Sequence, residues 1–337
     1  MNYHEASHTR DGLFNFSLDQ SIKKGMMTMP NVLVSTKDMS RDEWLQWRNK
    51  GIGGSDASIV CGLNHYKSPV ELWMEKTGQI EPKVAGEAAH WGTMLEPLIR
   101  VEFTERTGLQ IKQEYAMFQH SEYPFMLANL DGIVTDPING DCVFEAKTTN
   151  AFKADEWDDH VPQGYQLQVQ HYLAVTNLSG AYIAVLIGGN HFKWHYISRD
   201  NDLIAMLIEL EKRFWHNVET LTPPPMDGSE ASSELLSRLY PTANNKTRIA
   251  LDDALPLITQ YEEASIEEKV AEVRKNQAIN KLKELMGENE IGVSGDRIIT
   301  WRNISSERLD SKVLKVEQPE IYSKYISKNS YRRFSIK

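Results

Sequence analysis

Cysteine is scarce in this chain: Cys61 and Cys142 are the only two, and no CxxC pair occurs. A disulfide framework needs more cysteines, and a thiolate zinc site needs them in closely spaced pairs, so the sequence indicates neither. No apolar run approaches the roughly 20 residues that span a bilayer. The N-terminus also lacks a short apolar segment followed by a small-residue cleavage site. We therefore expect a cytoplasmic protein that does not enter a membrane.

An excess of positive charge is also lacking. Lys and Arg number 37 against 47 Asp and Glu, for a net charge of −10. This balance excludes a protein that coats nucleic acid through diffuse positive charge. It leaves room for one that holds DNA in a local basic groove or at a metal site. With 337 residues, 41% of them apolar, the chain can form one large domain or a core domain with a smaller one.

The first part of the regular chain is predicted to be helical. Helices are expected over 41–49, from about residue 55, over 70–77, and within "HWGTMLEPLIRVEFTERTG". Ser40 is the predicted N-cap of the first helix. The fourth is amphipathic, with Met94, Leu98 and Val101 on related faces, and Gly108 ends it.

Strands and helices then alternate. Strands are expected over 110–118, 126–135 and 142–148, and the Pro and Asn-Gly of "DPINGD" predict a hairpin between the last two. A helix over "GYQLQVQHYLAVTN", strands over "AYIAVLIGG" and "HFKWHYI", and a helix over about 202–218 complete this region. The order predicts a mixed α/β fold with a central mixed β-sheet flanked by helices.

A Pro- and Ser-rich stretch, "TLTPPPMDGSEASSE", marks the predicted domain boundary. We expect a loosely ordered segment over 1–31, a core domain over 32–220, a linker over 221–250 and a C-terminal extension over 251–337. The extension should contain a long charged helix over 257–286, a hairpin in "EIGVSGDRIITW" and a basic tail, "YRRFSIK".

Three charged residues converge on the predicted hairpin. Glu145 and Lys147 share one face of their strand because successive side chains alternate. The "DPINGD" turn brings Asp131 to within about one residue of lying opposite them. Such a group is either a surface ion pair or a metal site. Because Val143 and Phe144 indicate a buried strand, where unneutralised carboxylates are costly, the group favours a cation such as Mg²⁺, which takes one or two carboxylates.

Three weaker features accompany this group. Glu96, in "GTMLEPLI", is either a further oxygen ligand or a solvated helix residue. Gln168 and Tyr172 lie at i and i+4 on one helix face, where the glutamine amide can bond a water or a phosphate oxygen, or merely decorate the surface. Arg48 and Ser55 flank "NKGIGG", which is either an anion site at a helix start or a plain N-cap after a turn.

In their order along the chain, these features resemble the YqaJ-like viral recombinase family. This group of phage exonucleases includes lambda exonuclease and belongs to the PD-(D/E)xK nuclease superfamily. The resemblance covers about residues 40–215 and rests on "GIGGSDAS" with Arg48, G-T-x-x-E at Glu96, Asp131, E-A-K at 145–147, and Q-x-x-x-Y at 168–172. Leu130 stands where the superfamily name has proline, which contributes no ligand.

The resemblance implies a set of roles. Asp131, Glu145 and the Ala146 carbonyl would bind Mg²⁺, for which Mn²⁺ is expected to substitute, and Lys147 would position or activate the hydrolytic water. Glu96 would help to bind a metal, the second of two. Gln168 would support the site with Tyr172 packed beside it, and Arg48 and Ser55 would hold the 5′-terminal phosphate of a DNA end.

The implied activity is 5′→3′ degradation of one strand at linear double-stranded DNA ends, leaving 3′ single-stranded overhangs for recombination. The implied partners are DNA ends, a single-strand annealing protein, and two further copies of the chain in a ring trimer, in a phage- or prophage-encoded setting. Two alternatives stay open. One is an endonuclease of the same superfamily that cuts internal or branched DNA, and the other is a non-catalytic DNA-binding protein on a nuclease fold.

Overall fold

The structure of the protein is a computed structural model that describes residues 31–83, 86–243, 248–327 and 330–336. It divides into two compact units, Met1–Leu236 (unit 1) and Ser237–Lys337 (unit 2). The loosely ordered segment expected over 1–31 lies outside the described residues, except for Asn31, which begins the first strand.

The described elements of unit 1 are, in chain order, β1 (Asn31–Ser35), α1 (Arg41–Arg48), β2 (Ile52–Gly53), α2 (Gly54–Val60), α3 (Pro69–Lys76), α4 (Glu87–Thr107), β3 (Gln110–Lys112), β4 (Ala116–Gln119), β5 (Met126–Asn129), β6 (Gly132–Asp136), β7 (Gly140–Thr149), a 3-10 helix (Ala151–Trp157), α5 (Gln163–Thr176), β8 (Gly180–Ile187), β9 (His191–Ser198) and α6 (Asn201–Glu219). Helix α7 (Glu230–Leu239) follows, and unit 2 contains α8 (Leu255–Met286), β10 (Ile291–Ser294), β11 (Arg297–Thr300), α9 (Ser311–Glu317) and α10 (Pro319–Tyr325).

Unit 1 contains two mixed sheets. A five-stranded sheet has the order β3-β6-β7-β8-β9, with β7 and β8 parallel and the other neighbours antiparallel. A four-stranded sheet has the order β1-β4-β5-β2, and its β2–β5 pair is parallel. Helices α4 and α5 pack against β7 of the larger sheet. The predicted mixed α/β fold with a central mixed sheet is confirmed.

The local signals for helices and the hairpin are also confirmed. Ser40 caps α1 through a capping box with Glu43, which satisfies two backbone N–H groups at the helix start. The hairpin of β6 and β7 turns between Asp136 and Gly140, as "DPINGD" predicts. Gly140 has φ 74°, a left-handed conformation that favours glycine.

Two predicted strands are wrong as continuous elements, because each one changes sheet. The strand expected over 110–118 consists of β3 in the larger sheet and β4 in the smaller one, and the strand over 126–135 consists of β5 and β6. The second break falls at Leu130 and Asp131, where the Asp131 side chain accepts a hydrogen bond from the backbone N–H of Ala146 (2.8 Å). Apolar alternation continues across both breaks, so periodicity alone does not reveal them.

Helix α4 buries a different face from the one that its apolar spacing marks. Met94, Leu98 and Val101 are more than half exposed, whereas Ile99 and Phe103 are buried against β7 and β8. Phe103 lies with its ring centroid 5.1 Å from that of Phe144. The helix is therefore apolar on two sides, and only one of them contacts the core of unit 1.

Helix α5 is buried over most of its length. Every residue from Leu167 to Thr176 is buried, and the helix packs against α2, β5 and α6. A helix that is buried all round must place its polar groups against partners, since each unpaired buried group costs free energy. The polar residues of α5 are therefore where its specific contacts are found.

Residues 230–239 form α7, within the segment predicted as a linker over 221–250. The long helix and the hairpin of the C-terminal extension are present as α8 and the β10–β11 pair, and Gly295 takes a φ of 61° in the hairpin turn. Among the residues that the structure describes, no helix combines the length and the apolar character needed to cross a bilayer.

Candidate active site

The β6–β7 hairpin brings Asp131 and Glu145 together. Gly132 pairs with Phe144 in the antiparallel register, so Asp131, the next residue outward, lies opposite Glu145. Asp131 is fixed by the hydrogen bond from Ala146 described above. Phe144 packs on the opposite side of the strand, in the cluster formed with α4. Glu145 and Phe144 therefore lie on opposite faces of the strand, as the alternation of side chains predicts.

Lys147 completes the group. Its Nζ donates a hydrogen bond to Glu145 Oε1 (2.5 Å) and lies 5.0 Å from the ring centroid of Tyr165. The lysine side chain is 18% exposed and that of Glu145 only 4%. Lys147 is thus the more exposed partner of this ion pair.

Gln168 and Tyr172 extend the group into helix α5. Gln168 Nε2 donates to Glu145 Oε1 (2.7 Å) and to the Tyr172 hydroxyl (3.0 Å). Both residues are buried. The two residues, spaced i and i+4, therefore support the carboxylate of Glu145. The alternative that they only decorate the helix surface is wrong.

Glu96 approaches from α4. It forms an ion pair with Arg100, one turn further along the helix, and Arg100 Nη1 also donates to the backbone carbonyl of Asp131 (3.1 Å). Arg100 was missed by sequence reasoning, although its i, i+4 spacing from Glu96 was a usable signal. Glu96 is held beside Asp131 and is not a freely solvated helix residue.

Crowded, buried carboxylates shift the ionisation of the group. Burial, followed by the charge of Asp131, raises the pKa of Glu145 to about 8. Burial also raises the pKa of Asp131 and of Glu96, and in Glu96 the charge of Asp131 adds to the effect. Burial acts to lower the pKa of Lys147, but the carboxylates of Glu145 and Asp131 outweigh it and raise that pKa. The lysine is therefore a cation at neutral pH.

The residues fit a divalent cation in their chemistry. Glu145 Oε2 is buried and has no hydrogen-bond partner, an arrangement that costs free energy unless a cation occupies the space. Carboxylate oxygens with water are the donors that Mg²⁺ takes. Within the described part of the chain, no three His, Cys, Asp or Glu side chains are already arranged to hold a metal. The fit therefore rests on Asp131 and Glu145, with Glu96 outside that pair.

Arg48 and Ser55 also meet, at the start of α2. Arg48 Nη2 donates to Ser55 Oγ (2.6 Å) and to Asp56 Oδ1 (2.7 Å). Asp56, which sequence reasoning missed although it follows Ser55 directly, is buried and also pairs with Lys76 (3.1 Å). Burial raises its pKa, but Arg48 and Lys76 outweigh burial and hold that pKa well below its usual range. Two cations and one carboxylate leave a net positive charge here.

One small cavity connects this group to α5. It has a volume of about 100 Å³, and its lining includes Arg48, Ser55 and Tyr172. The Tyr172 ring packs so closely on the helix start that a Cβ on Gly54 would lie 2.4 Å from it. Tyr172 and Gln168 therefore form a chain of contacts between the Arg48 group and the Glu145 carboxylate.

A buried His–Glu pair beneath the site was not predicted. His171 Nδ1 lies 2.8 Å from Glu211 Oε1, and His171 Nε2 donates to the Leu127 carbonyl (2.9 Å). Burial opposes charge on the imidazole, but the Glu211 carboxylate outweighs it and raises the pKa of His171. Leu127 pairs in turn with Gly53, just before α2. The pair therefore joins α5, α6 and β5 behind the Arg48 group.

Comparison with known proteins gives both structural and sequence matches. Among solved structures, the alkaline exonuclease LHK-Exo from Laribacter hongkongensis is 20% identical, with a TM-score of 0.46, and the match covers 59% of this chain and 100% of that one. A phage-related exonuclease from Haemophilus somnus 129PT is 15% identical, with a TM-score of 0.41, covering 53% of this chain and 97% of that one.

Sequence comparison identifies the family. The model of the YqaJ-like viral recombinase domain matches residues 43–179. This range includes every residue of the group around Glu145 and of the group around Arg48. The protein YqaJ of Bacillus subtilis (strain 168) is 41% identical over 314 residues, which cover 91% of this chain and 97% of that protein. The chain belongs to the YqaJ-like viral recombinase family.

Proposed function

We propose that this protein is a Mg²⁺-dependent 5′→3′ exonuclease that acts on linear double-stranded DNA ends and leaves 3′ single-stranded overhangs for recombination. The observation that carries the proposal is the buried, unpartnered Oε2 of Glu145, opposite Asp131 and beside Lys147. Membership of a recombinase family supports DNA as the substrate. Mn²⁺ is expected to replace Mg²⁺, because both accept oxygen ligands.

Each residue has a proposed part in the reaction. Asp131 and Glu145 would hold the cation, with the Ala146 carbonyl as a further ligand and Glu96 available for a second ion. When bound, the cation would neutralise charge on the scissile phosphate. Lys147 would orient the attacking water from the solvent side of the group. Gln168 would keep Glu145 in place by the hydrogen bond that it donates.

Action at a 5′ end is supported by the second group of the site. A terminal phosphate carries more negative charge than an internal one and would meet the Arg48 guanidinium, the Ser55 hydroxyl and the start of α2. Tyr172 lines the cavity beside these groups and accepts a hydrogen bond from Gln168, whose amide also donates to Glu145. Binding of the end would thereby determine which phosphodiester reaches the cation.

The test is the cleavage of three matched substrates by purified protein, with and without Mg²⁺. We expect degradation of linear duplex with 5′-phosphate ends, slower degradation with 5′-hydroxyl ends, and no cutting of covalently closed circles. Lys147→Ala serves as the inactive control. Cutting of closed circles would favour the endonuclease alternative, and DNA binding without turnover in Mg²⁺ or Mn²⁺ would favour the non-catalytic one.

We also propose the partners of the reaction and its setting. A single-strand annealing protein would receive the 3′ overhang, and a ring of three chains would retain the duplex topologically. Topological retention would reconcile DNA binding with a net charge of −10, because basic groups are then needed only in the channel. A cytoplasmic location in a bacterial host would follow from a phage-encoded origin.

A further inference from the structure

Helix α8 of unit 2 is long and almost wholly exposed. It runs for 32 residues, and Met286 is the one buried residue in it. Ile266, Val270 and Val273 are 62%, 52% and 58% exposed. A helix of this length in a globular protein usually buries an apolar stripe against a neighbour. The stripe on α8 therefore calls for a partner.

The exposed apolar residues follow the spacing of a helix-pairing seam. From Ile266, the steps to Val270, Val273 and Gln277 are four, three and four residues. This alternation keeps the side chains on one stripe, as in the a and d positions of a coiled coil. Glu267 and Arg274 lie seven residues apart, and both flank the stripe on the same side.

The charges of α8 are divided between its two halves. From Leu255 to Glu272 the helix contains five glutamates and one lysine. From Val273 to Met286 it contains three lysines, one arginine and one glutamate. A parallel copy would place like charges together, whereas an antiparallel copy places the acidic half of each helix against the basic half of the other.

We propose that α8 pairs antiparallel with α8 of a second copy of this chain. In the register that best matches the stripe, Val270 meets Val273 of the partner subunit, and Ile266 meets Gln277 of the partner subunit. The same register puts Glu267 opposite Arg274 of the partner subunit. Two-fold symmetry repeats each of these contacts, so the interface is closed and joins two copies of α8 and no more. It is separate from the contacts of the proposed ring of three, and it would join one such ring to another.

This register accounts for the charge pattern beyond the central pair. On the other flank of the stripe, Lys269 meets Asn276 of the partner subunit, which is uncharged, and Glu262 meets Lys283 of the partner subunit. No like charges face each other along the flanks. The apolar centre is short, so we expect a dimer that dissociates on dilution and weakens in high salt.

The test is sedimentation equilibrium of the full chain over a range of concentrations, which measures mass and is independent of nuclease activity. We expect the mass to double as concentration rises, from one chain of 38.6 kDa to two, or from three chains to six where the proposed ring forms. Glu267→Arg should weaken the dimer about tenfold or more by opposing two arginines, and adding Arg274→Glu in the same chain should restore it. Glu268→Arg makes the same charge change on the opposite side of the helix and is the matched control.

Val270→Asp is the second test, because it removes the apolar centre at an exposed position and leaves folding intact. Circular dichroism should show unchanged helix content, and the doubling of mass should be lost. A mass that does not double at any concentration would overturn the proposal, as would a doubling that Val270→Asp leaves unchanged. Failure of the doubly reversed chain to recover would overturn the antiparallel pairing.

Discussion

The sharpest test of the proposed metal site is the pH dependence of stability without metal. The carboxylates of Asp131, Glu145 and Glu96 lie beside two cations, Lys147 and Arg100. When all five groups are charged, the cluster has one excess negative charge in a buried place. Glu145→Gln removes that excess and keeps an oxygen to accept hydrogen bonds.

The direction and size of the effect follow from the pKa of Glu145. The pKa is about 8 in the folded chain and about 4.5 when the side chain is solvated. Between these values the folded chain holds a proton that the unfolded chain has released, so the free energy of unfolding falls as pH rises toward 8. One pH unit in this window is worth about 1.4 kcal/mol, so the loss from pH 6 to pH 9 is about 2–3 kcal/mol.

Urea denaturation in EDTA, followed by tryptophan fluorescence, measures this loss. Seven of the eight tryptophans lie in unit 1 and only Trp301 in unit 2, so the signal reports mainly on the unit that contains the site. We expect the native chain to lose stability from pH 6 to pH 9, and Glu145→Gln to lose much less. Asp141→Asn, an exposed change on the same strand, should follow the native chain.

Added Mg²⁺ provides the second half of the experiment. Because the ion competes with the proton for the carboxylates, it should stabilise the native chain more at pH 9 than at pH 6. Glu145→Gln should show little of this effect. Parallel pH curves for the native chain and Glu145→Gln, together with no stabilisation by Mg²⁺, would refute the assignment of Glu145 as a buried cation ligand.

Three other substitutions separate the parts of the site. Lys147→Ala should abolish cleavage while Mg²⁺ still raises the melting temperature, which differential scanning fluorimetry would check. Arg48→Ala should raise KM for 5′-phosphorylated duplex and leave 5′-hydroxyl duplex nearly unchanged, and equal losses on both substrates would count against a terminal-phosphate pocket. Gly54→Ala should lower the free energy of unfolding by about 1–3 kcal/mol, because the new Cβ would lie 2.4 Å from the Tyr172 ring, and denaturation of this variant beside Gly228→Ala, where nothing is crowded, measures the difference.

The convergence of Asp131, Glu145 and Lys147 was predictable because it depends on local structure. A two-stranded hairpin with a defined turn sets which residues lie opposite each other, and alternation sets which face they share. The "DPINGD" turn indicated which residues lie opposite each other, and the apolar residues around Glu145 indicated which face is buried. The spacing of Gln168 and Tyr172 within one helix is local in the same sense, and the hydrogen bond between them is present.

The other features depend on contacts between distant segments, which no local pattern encodes. Leu127 belongs to a different sheet from Gly132, and the change of sheet between them falls at Leu130 and Asp131, where Asp131 bonds to Ala146, fifteen residues away. The His171–Glu211 pair joins residues 40 positions apart. His171 looked in sequence like one polar residue in an apolar helix, and its role became visible only when α6 and β5 were seen to supply an acceptor for each ring nitrogen.

The local features and the long-range contacts have different proposed roles in the site. The hairpin, which forms locally, supplies the groups that would hold the cation and the water. The segments that meet over long distances hold α5 against α2, and so keep the Arg48 group at a fixed place relative to Glu145. An enzyme that cuts at a set distance from a bound DNA end needs a fixed spacing between the Arg48 group and Glu145 as much as it needs the cation ligands. Variants in the long-range contacts should therefore alter where or how efficiently ends are cut before they alter cation binding.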